Sequence, residues 1–149
     1  MNQERHDSPE LMFDHIGIVV PDVVTGSSSL AAVLGPLLWT QSFLDVGLGV
    51  SVRFAQDRSG IVYELIAPLG ADSLVARTLK SRANLLNQIA YRTSSLESSV
   101  KRLRAQGAVP VSVAAPAVAF GGARVQFLMV PLGFLIELIE GDRVVHVFS

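Results

Sequence analysis

The sequence contains no cysteine, almost no imbalance of charge and no long apolar run, and each absence removes a class of chemistry. Without cysteine there are no disulfides, thiolate nucleophiles, zinc–thiolate sites or iron–sulfur clusters, and a reducing, cytoplasmic location is expected. Twelve basic side chains stand against thirteen acidic ones, a net charge of −1. That offers no broad attractive field to a phosphate backbone or an anionic membrane, so no nucleic acid and no membrane is expected as a partner. Pro, Gly or charge interrupts every apolar stretch before the roughly 18 residues that a spanning helix needs. The opening MNQERHDSPELM lacks the apolar centre of a secretion signal and reads as an N-terminal arm over residues 1–12.

What the chain does have is apolar bulk: half of its 149 residues are hydrophobic and its mean hydropathy is +0.44. That length and composition suit one compact domain, expected over residues 13–140, with 141–149 as a C-terminal tail. Within it the sequence repeats. Asp14-His15-Ile16-Gly17-Ile18 aligns with Asn87-Gln88-Ile89-Ala90-Tyr91, and Tyr63-Glu64-Leu65-Ile66 with Ile136-Glu137-Leu138-Ile139. One spacing of 73 residues, 15 to 88 and 64 to 137, also carries Val52-Arg53-Phe54 onto Val125-Gln126-Phe127 and Val23 and Leu30 onto Leu96 and Leu103. Two copies are too few for a solenoid, so two modules, 13–70 and 85–140, are expected to pack as a pseudo-symmetric pair.

Each module reads as a strand, a helix and then further strands. In the first, strands are expected over 14–20, 38–44, 49–55 and 60–66, with a helix over 24–34 and a turn at 56–60. In the second, strands are expected over 87–92, 109–113, 117–120, 123–130 and 133–140. The helix between them begins at a capping box of Ser94 and Glu97 and ends at Gly107. Asp72 or Ser73 caps a short helix to Lys80, followed by a linker, and the tail is expected to add an edge strand.

Four polar residues interrupt the apolar strands at equivalent places: His15 and Gln88, Glu64 and Glu137. A carboxylate in an apolar wall loses its hydration, at a cost of several kcal/mol, and needs a partner. A two-fold arrangement of the modules brings all four together, where neutral imidazole and carboxylates suit Zn, Co, Ni or Mn and an amide oxygen is a weaker donor. The alternatives are that His15 is a core histidine bonded to backbone, that Gln88 is satisfied locally, and that Arg53 neutralises Glu64 across the hairpin.

The segments FDHIGIVVPD, YELIAPLGADS, NQIAY, LRAQG, PAVAFGGARVQF and FLIELIE resemble the vicinal oxygen chelate superfamily, in its glyoxalase and methylmalonyl-CoA epimerase-like branch. The resemblance implies an α+β fold of two paired βαβββ modules forming a cupped mixed sheet, the glyoxalase/bleomycin resistance-type fold. It also implies metal ligation by His15, Glu64, Gln88 and Glu137, where Gln88 replaces a residue that is commonly histidine. A second departure is Gly47, aligned where the epimerases carry a catalytic glutamate; Asp45 is the nearest acid. The implied activity is metal-assisted enolate chemistry, as an isomerase or lyase, on a small carbonyl compound or acyl thioester. Glu137 is the preferred base and Glu64 the alternative. A noncatalytic binding or sequestering protein is the rival reading, and a homodimer is expected in either case, with the tail residues 144–148 joining an edge. His6 and His146 lie outside the matching strands, which disfavours a two-histidine iron site. Arg77, Lys80 and Arg82 read as solvated.

Overall fold

The computed structural model describes residues 10–83, 85–142 and 146–149. The first module comprises strand β1 (Met12–Val19), helix α1 (Val23–Leu34) and strands β2 (Leu38–Asp45), β3 (Val50–Gln56) and β4 (Val62–Pro68). Helix α2 (Leu74–Ser81) leads into the second: β5 (Leu86–Thr93), α3 (Leu96–Ala105), the short β6 (Val109–Pro110) and β7 (Ala115–Pro116), β8 (Arg124–Met129) and β9 (Leu135–Glu140). All nine strands form one mixed sheet in the order β2-β3-β4-β1-β5-β9-β8-β6, with β7 also paired to β8.

The internal repeat is written into the strand register. Ile16 pairs with Tyr63 and Gly17 with Glu64 across parallel β1 and β4; 73 residues on, Ile89 pairs with Ile136 and Ala90 with Glu137 across parallel β5 and β9. Phe54 faces Glu64 as Phe127 faces Glu137. At the centre, β1 and β5 run antiparallel with Ile16 opposite Ile89, two residues that are each other's equivalents. The pseudo-two-fold axis therefore passes through that pair.

Alternation along each strand then divides the core. Leu65 and Ala67 face Val20 and Val23 under α1, and Leu128 and Leu138 face Leu96 and Ala108 under α3. Val52, Phe54, Ile66, Val125 and Ile139 point the other way, into the cup. α1 packs close to the sheet because Gly26 has no side chain; a Cβ there would lie 2.9 Å from the Val20 methyls. Its first turn is held by Asp22, which accepts the Thr25 N–H at 2.7 Å.

The second module departs from expectation in its middle. The stretch 117–120 is a single 3-10 turn, Val118–Phe120, and pairing over 109–113 shrinks to two residues. Gly121 and Gly122, at φ of 64° and 87°, turn the chain from there into β8. The cap of α3 is Ser95, which accepts from Ser98 N, and Glu97 pairs instead with Arg124 at 2.7 Å. The tail folds onto its own chain: Ser149 exchanges two backbone hydrogen bonds with Trp39 of β2, and Phe148 packs against the cup core. Val144 and Val145, expected to join an edge, lie outside the described residues, as does His6. No helix among the described residues is long and apolar enough to cross a membrane.

Candidate functional site

A β-bulge creates the floor of the cup. Phe13 pairs with Tyr91 and His15 with Ala90, so Asp14 is an extra residue and both Asp14 and His15 turn inward. His15, fully buried, donates from Nδ1 to Asp14 Oδ2 at 2.7 Å. Its Nε2 points at the two equivalent acids, 3.2 Å from Glu137 Oε1 and 3.4 Å from Glu64 Oε1. Gln88 enters from the opposite strand and donates from Nε2 to the same two oxygens, at 3.0 Å and 3.2 Å respectively. It has room because Gly17 stands opposite; a Cβ at that position would fall 2.5 Å from Gln88 Cγ.

The four residues expected from the repeat therefore meet at one point, and Arg53 does not join them. It lies on the other face of β3, bonded to Thr40 O and Ser27 Oγ with its guanidinium 4.6 Å from the Trp39 ring centre. Its equivalent, Gln126, is satisfied by Ser112 O. The partner of His15 is likewise a carboxylate rather than backbone.

Electrostatics follow from burial. Burial pushes Glu137 up and the charge of Glu64 adds to that push; His15 offsets part of it, leaving Glu137 near about 7. Burial works against a charge on His15, but Glu64, the Asp14 hydrogen bond and Glu137 outweigh it and raise its pKa well above the usual 6.5. Burial also opposes ionisation of Asp14, and the hydrogen bonds from His146 and His15 reverse that, holding it well below the carboxylate range.

His15 Nε2 and one oxygen each from Glu64 and Glu137 lie within 4.8 Å of one another. Nε2 is buried with no aligned hydrogen-bond partner. These are the features of a donor set that fits a divalent cation of the Zn, Co, Ni or Mn type, and a half-turn of the Gln88 amide presents its oxygen in place of Nε2. Above this point opens a cavity of about 270 Å³ whose wall includes Glu64, Gln88, Glu137, Val52, Phe127 and Leu135. Asp45 reaches the wall, whereas Gly47 stays in the β2–β3 turn. Both Asp45 oxygens are engaged, by Leu48 N at 3.0 Å and Val118 N at 2.9 Å, so it clamps the 3-10 turn.

Two residues escaped sequence reasoning. Asp14 sits beside His15, where strand alternation alone would send it to the other face. His146, set aside for lying outside the repeat, donates from Nε2 to Asp14 Oδ2 at 2.9 Å, and its ring is 6.3 Å from that of His15. Asp14, His15 and His146 also lie within 4.8 Å of one another, but they satisfy one another by hydrogen bonds.

The geometry agrees with comparison to known proteins. A family profile described as Glyoxalase/Bleomycin resistance protein/Dioxygenase superfamily matches residues 14–127. Among solved structures, methylmalonyl-CoA epimerase from Mycobacterium tuberculosis is 29% identical, with a TM-score of 0.72 and 89% of each chain covered. A hypothetical protein from Bacillus halodurans C-125 is 24% identical with a TM-score of 0.75, covering 95% of this chain and all of that one. A variant of the Streptomyces coelicolor methylmalonyl-CoA epimerase, in complex with 2-nitronate-propionyl-CoA, is 22% identical with a TM-score of 0.73, covering 90% and 100%. A search of curated proteins finds no match. Family profile, cupped mixed sheet and duplicated register agree, and the chain belongs to the glyoxalase/bleomycin resistance protein/dioxygenase superfamily, the vicinal oxygen chelate proteins.

Proposed function

We propose that this protein is an isomerase or lyase that removes a proton next to the carbonyl of a small uncharged carbonyl compound or acyl thioester. The observation that carries the reading is the convergence of His15, Gln88 and two buried carboxylates on one point at the floor of an apolar cavity. His15, Glu64, Glu137 and the Gln88 amide oxygen would hold a divalent cation, which when bound supplies Lewis-acid polarisation of the carbonyl.

The protein's own groups account for the rest. Glu137 takes the proton, its carboxylate standing in the cavity wall where a bound carbonyl compound would lie. Glu64, its equivalent across the axis, is the alternative base. Val52, Phe127 and Leu135 keep water from the reacting carbon. With both Asp45 oxygens held by backbone N–H groups, the proton leaves and returns through the central carboxylates.

Charge narrows the substrate. Two carboxylates neutralise a divalent cation, Asp45 adds a further negative charge, and no Lys or Arg is among the described residues of the cavity wall. A free carboxylate on the substrate would meet no counter-charge there. The methylmalonyl-CoA handled by the epimerases it resembles is therefore a poorer fit than an uncharged acyl thioester or hydroxy ketone. The reading also includes a cytoplasmic homodimer, supported by the cysteine-free composition and by exposed Val24, Val33 and Leu34 along α1.

The test is deuterium incorporation at the carbon next to the carbonyl, in heavy water, across a panel of neutral and dicarboxylic thioesters and hydroxy ketones with metal-reconstituted protein. Exchange is expected with neutral members and should fall by about 10²–10⁴-fold in Glu137→Gln. Saturable binding without exchange across the panel would favour a noncatalytic binding protein. One observation favours that rival: Gln88 donates to both carboxylates and so gives them a partner from within the protein.

A further inference from the structure

We propose that His146, in the C-terminal segment, is a positioning residue that sets the orientation of His15 by locking the Asp14 carboxylate. The proposal rests on the reading of His15 as a cation ligand.

The end of the chain is seated in the cup by three kinds of contact. The His146 ring centre lies 4.3 Å from that of Phe54 and 5.8 Å from that of Phe120. Phe148 packs against the same apolar cluster, and Ser149 is bonded twice to Trp39. The seat has a place in the internal symmetry. Asp14, His15 and Phe54, which meet the His146 side chain, correspond at the spacing of 73 to Asn87, Gln88 and Phe127, and all three of those line the cavity. The C-terminal segment thus fills the symmetry mate of the cavity. One half of the cup is open to a ligand on the Gln88 side, and the other is closed on the His15 side by the chain's own end.

This arrangement gives the imidazole a chemical task. Asp14 Oδ2 accepts from both His15 Nδ1 and His146 Nε2, while Oδ1 lies 3.1 Å from Arg92 Nε. Two hydrogen bonds on Oδ2 and the Arg92 charge beside Oδ1 hold the carboxylate in rotation. It then holds the Nδ1–H of His15 and leaves Nε2 as the atom aimed between Glu64 and Glu137. Outer partners of this kind orient a ligating imidazole, and their loss commonly weakens metal binding 10–100-fold. His146 differs from an ordinary partner in being separated from Asp14 by almost the whole sequence, so seating of the chain's end bears directly on the central site.

Two substitutions separate this role from packing. His146→Phe keeps a ring against Phe54 and removes the N–H; His146→Gln restores a donor of similar reach. Each is compared with wild type by Co²⁺ titration, reading affinity and the visible ligand-field spectrum, and by proton NMR of the hydrogen-bonded His15 Nδ1–H in metal-free protein. His146→Phe is expected to bind Co²⁺ about 10–100-fold more weakly, with an altered spectrum and a weakened or lost Nδ1–H signal, and His146→Gln to recover most of each. Wild-type affinity and an unchanged signal in His146→Phe would overturn the proposal. Should wild type take up no Co²⁺, the cation reading falls, and the Nδ1–H signal alone decides: its loss in His146→Phe supports positioning and its persistence refutes it.

Discussion

Replacing Glu137 by Gln should stabilise the metal-free protein at neutral pH while disabling the site. Glu137 is 3% exposed, and burial together with the neighbouring Glu64 raises its pKa from 4.5 to about 7. Between those two values the folded protein binds a proton that the unfolded chain has released, so stability falls as pH rises through that window and has been lost above it. Moving the equilibrium that far costs the ionised form roughly 3 kcal/mol, which for a chain of this size is about 6–12 °C of Tm. The amide has no proton to lose, so the variant should escape that fall. Urea denaturation in the presence of chelator, at pH 4.5 and pH 7.5, measures it: wild type should lose most of this amount between the two and Glu137→Gln should not. His15 shifts the same way, its contribution fading as pH rises from 6.5 through its raised pKa, so a shallower alkaline decline should remain in both proteins. A divalent cation should restore wild type at pH 7.5 and leave the variant unmoved. Equal losses in the two proteins would show that Glu137 is not the strained acid.

Three further substitutions probe the same centre. Glu137→Ala should abolish most divalent-cation binding in metal-reconstituted protein, read by elemental analysis; retention of a full equivalent would exclude Glu137 as a ligand. Gln88→His replaces an amide with an imidazole, the donor preferred by Zn, Co and Ni, and should tighten Co²⁺ binding at least tenfold by titration. An unchanged affinity would mean that residue 88 does not face the ion. Gly17→Ala would put a methyl 2.5 Å from Gln88 Cγ, so Gln88 must move; about 1–3 kcal/mol of stability and its two carboxylate bonds should be lost together, visible in thermal unfolding and in weaker Co²⁺ binding.

What could be read from residues alone followed the physics of periodicity. Alternation and the 73-residue spacing foresee the sheet, the paired modules and the meeting of His15, Gln88, Glu64 and Glu137, because strand register converts equivalent positions in sequence into equivalent places about an axis. The failures lie where local rules yield to tertiary contact. The bulge at Asp14 breaks alternation, so a second inward carboxylate beside His15 had no signal in a period of two. Ser95 rather than Ser94 caps α3, and Glu97 pairs with Arg124, a residue 27 positions away that no local rule announces. Arg53 was a reasonable counter-charge for Glu64 by position in the hairpin, but adjacent strand positions face opposite sides and carry it to Trp39. His146 was invisible because nothing in the spacing of the repeat reaches the last four residues.

The same comparison explains why a symmetric scaffold has an asymmetric site. At the equivalent positions 14 and 87 the chain carries Asp and Asn, and at 15 and 88 His and Gln. A buried carboxylate demands donors; Asp14 takes them from His15 and His146, with the charge of Arg92 beside it, and this closes its half of the cup. Asn87 carries no charge, and its half remains open as the cavity. On the proposed reading the asymmetry divides the work: the His15 half would orient a ligand atom and the Gln88 half would admit a substrate. His146→Phe, which disturbs only the closed side, should accordingly change cation affinity more than the affinity for an uncharged thioester in the open cavity. Equal losses of both would mean that the two halves do not work independently.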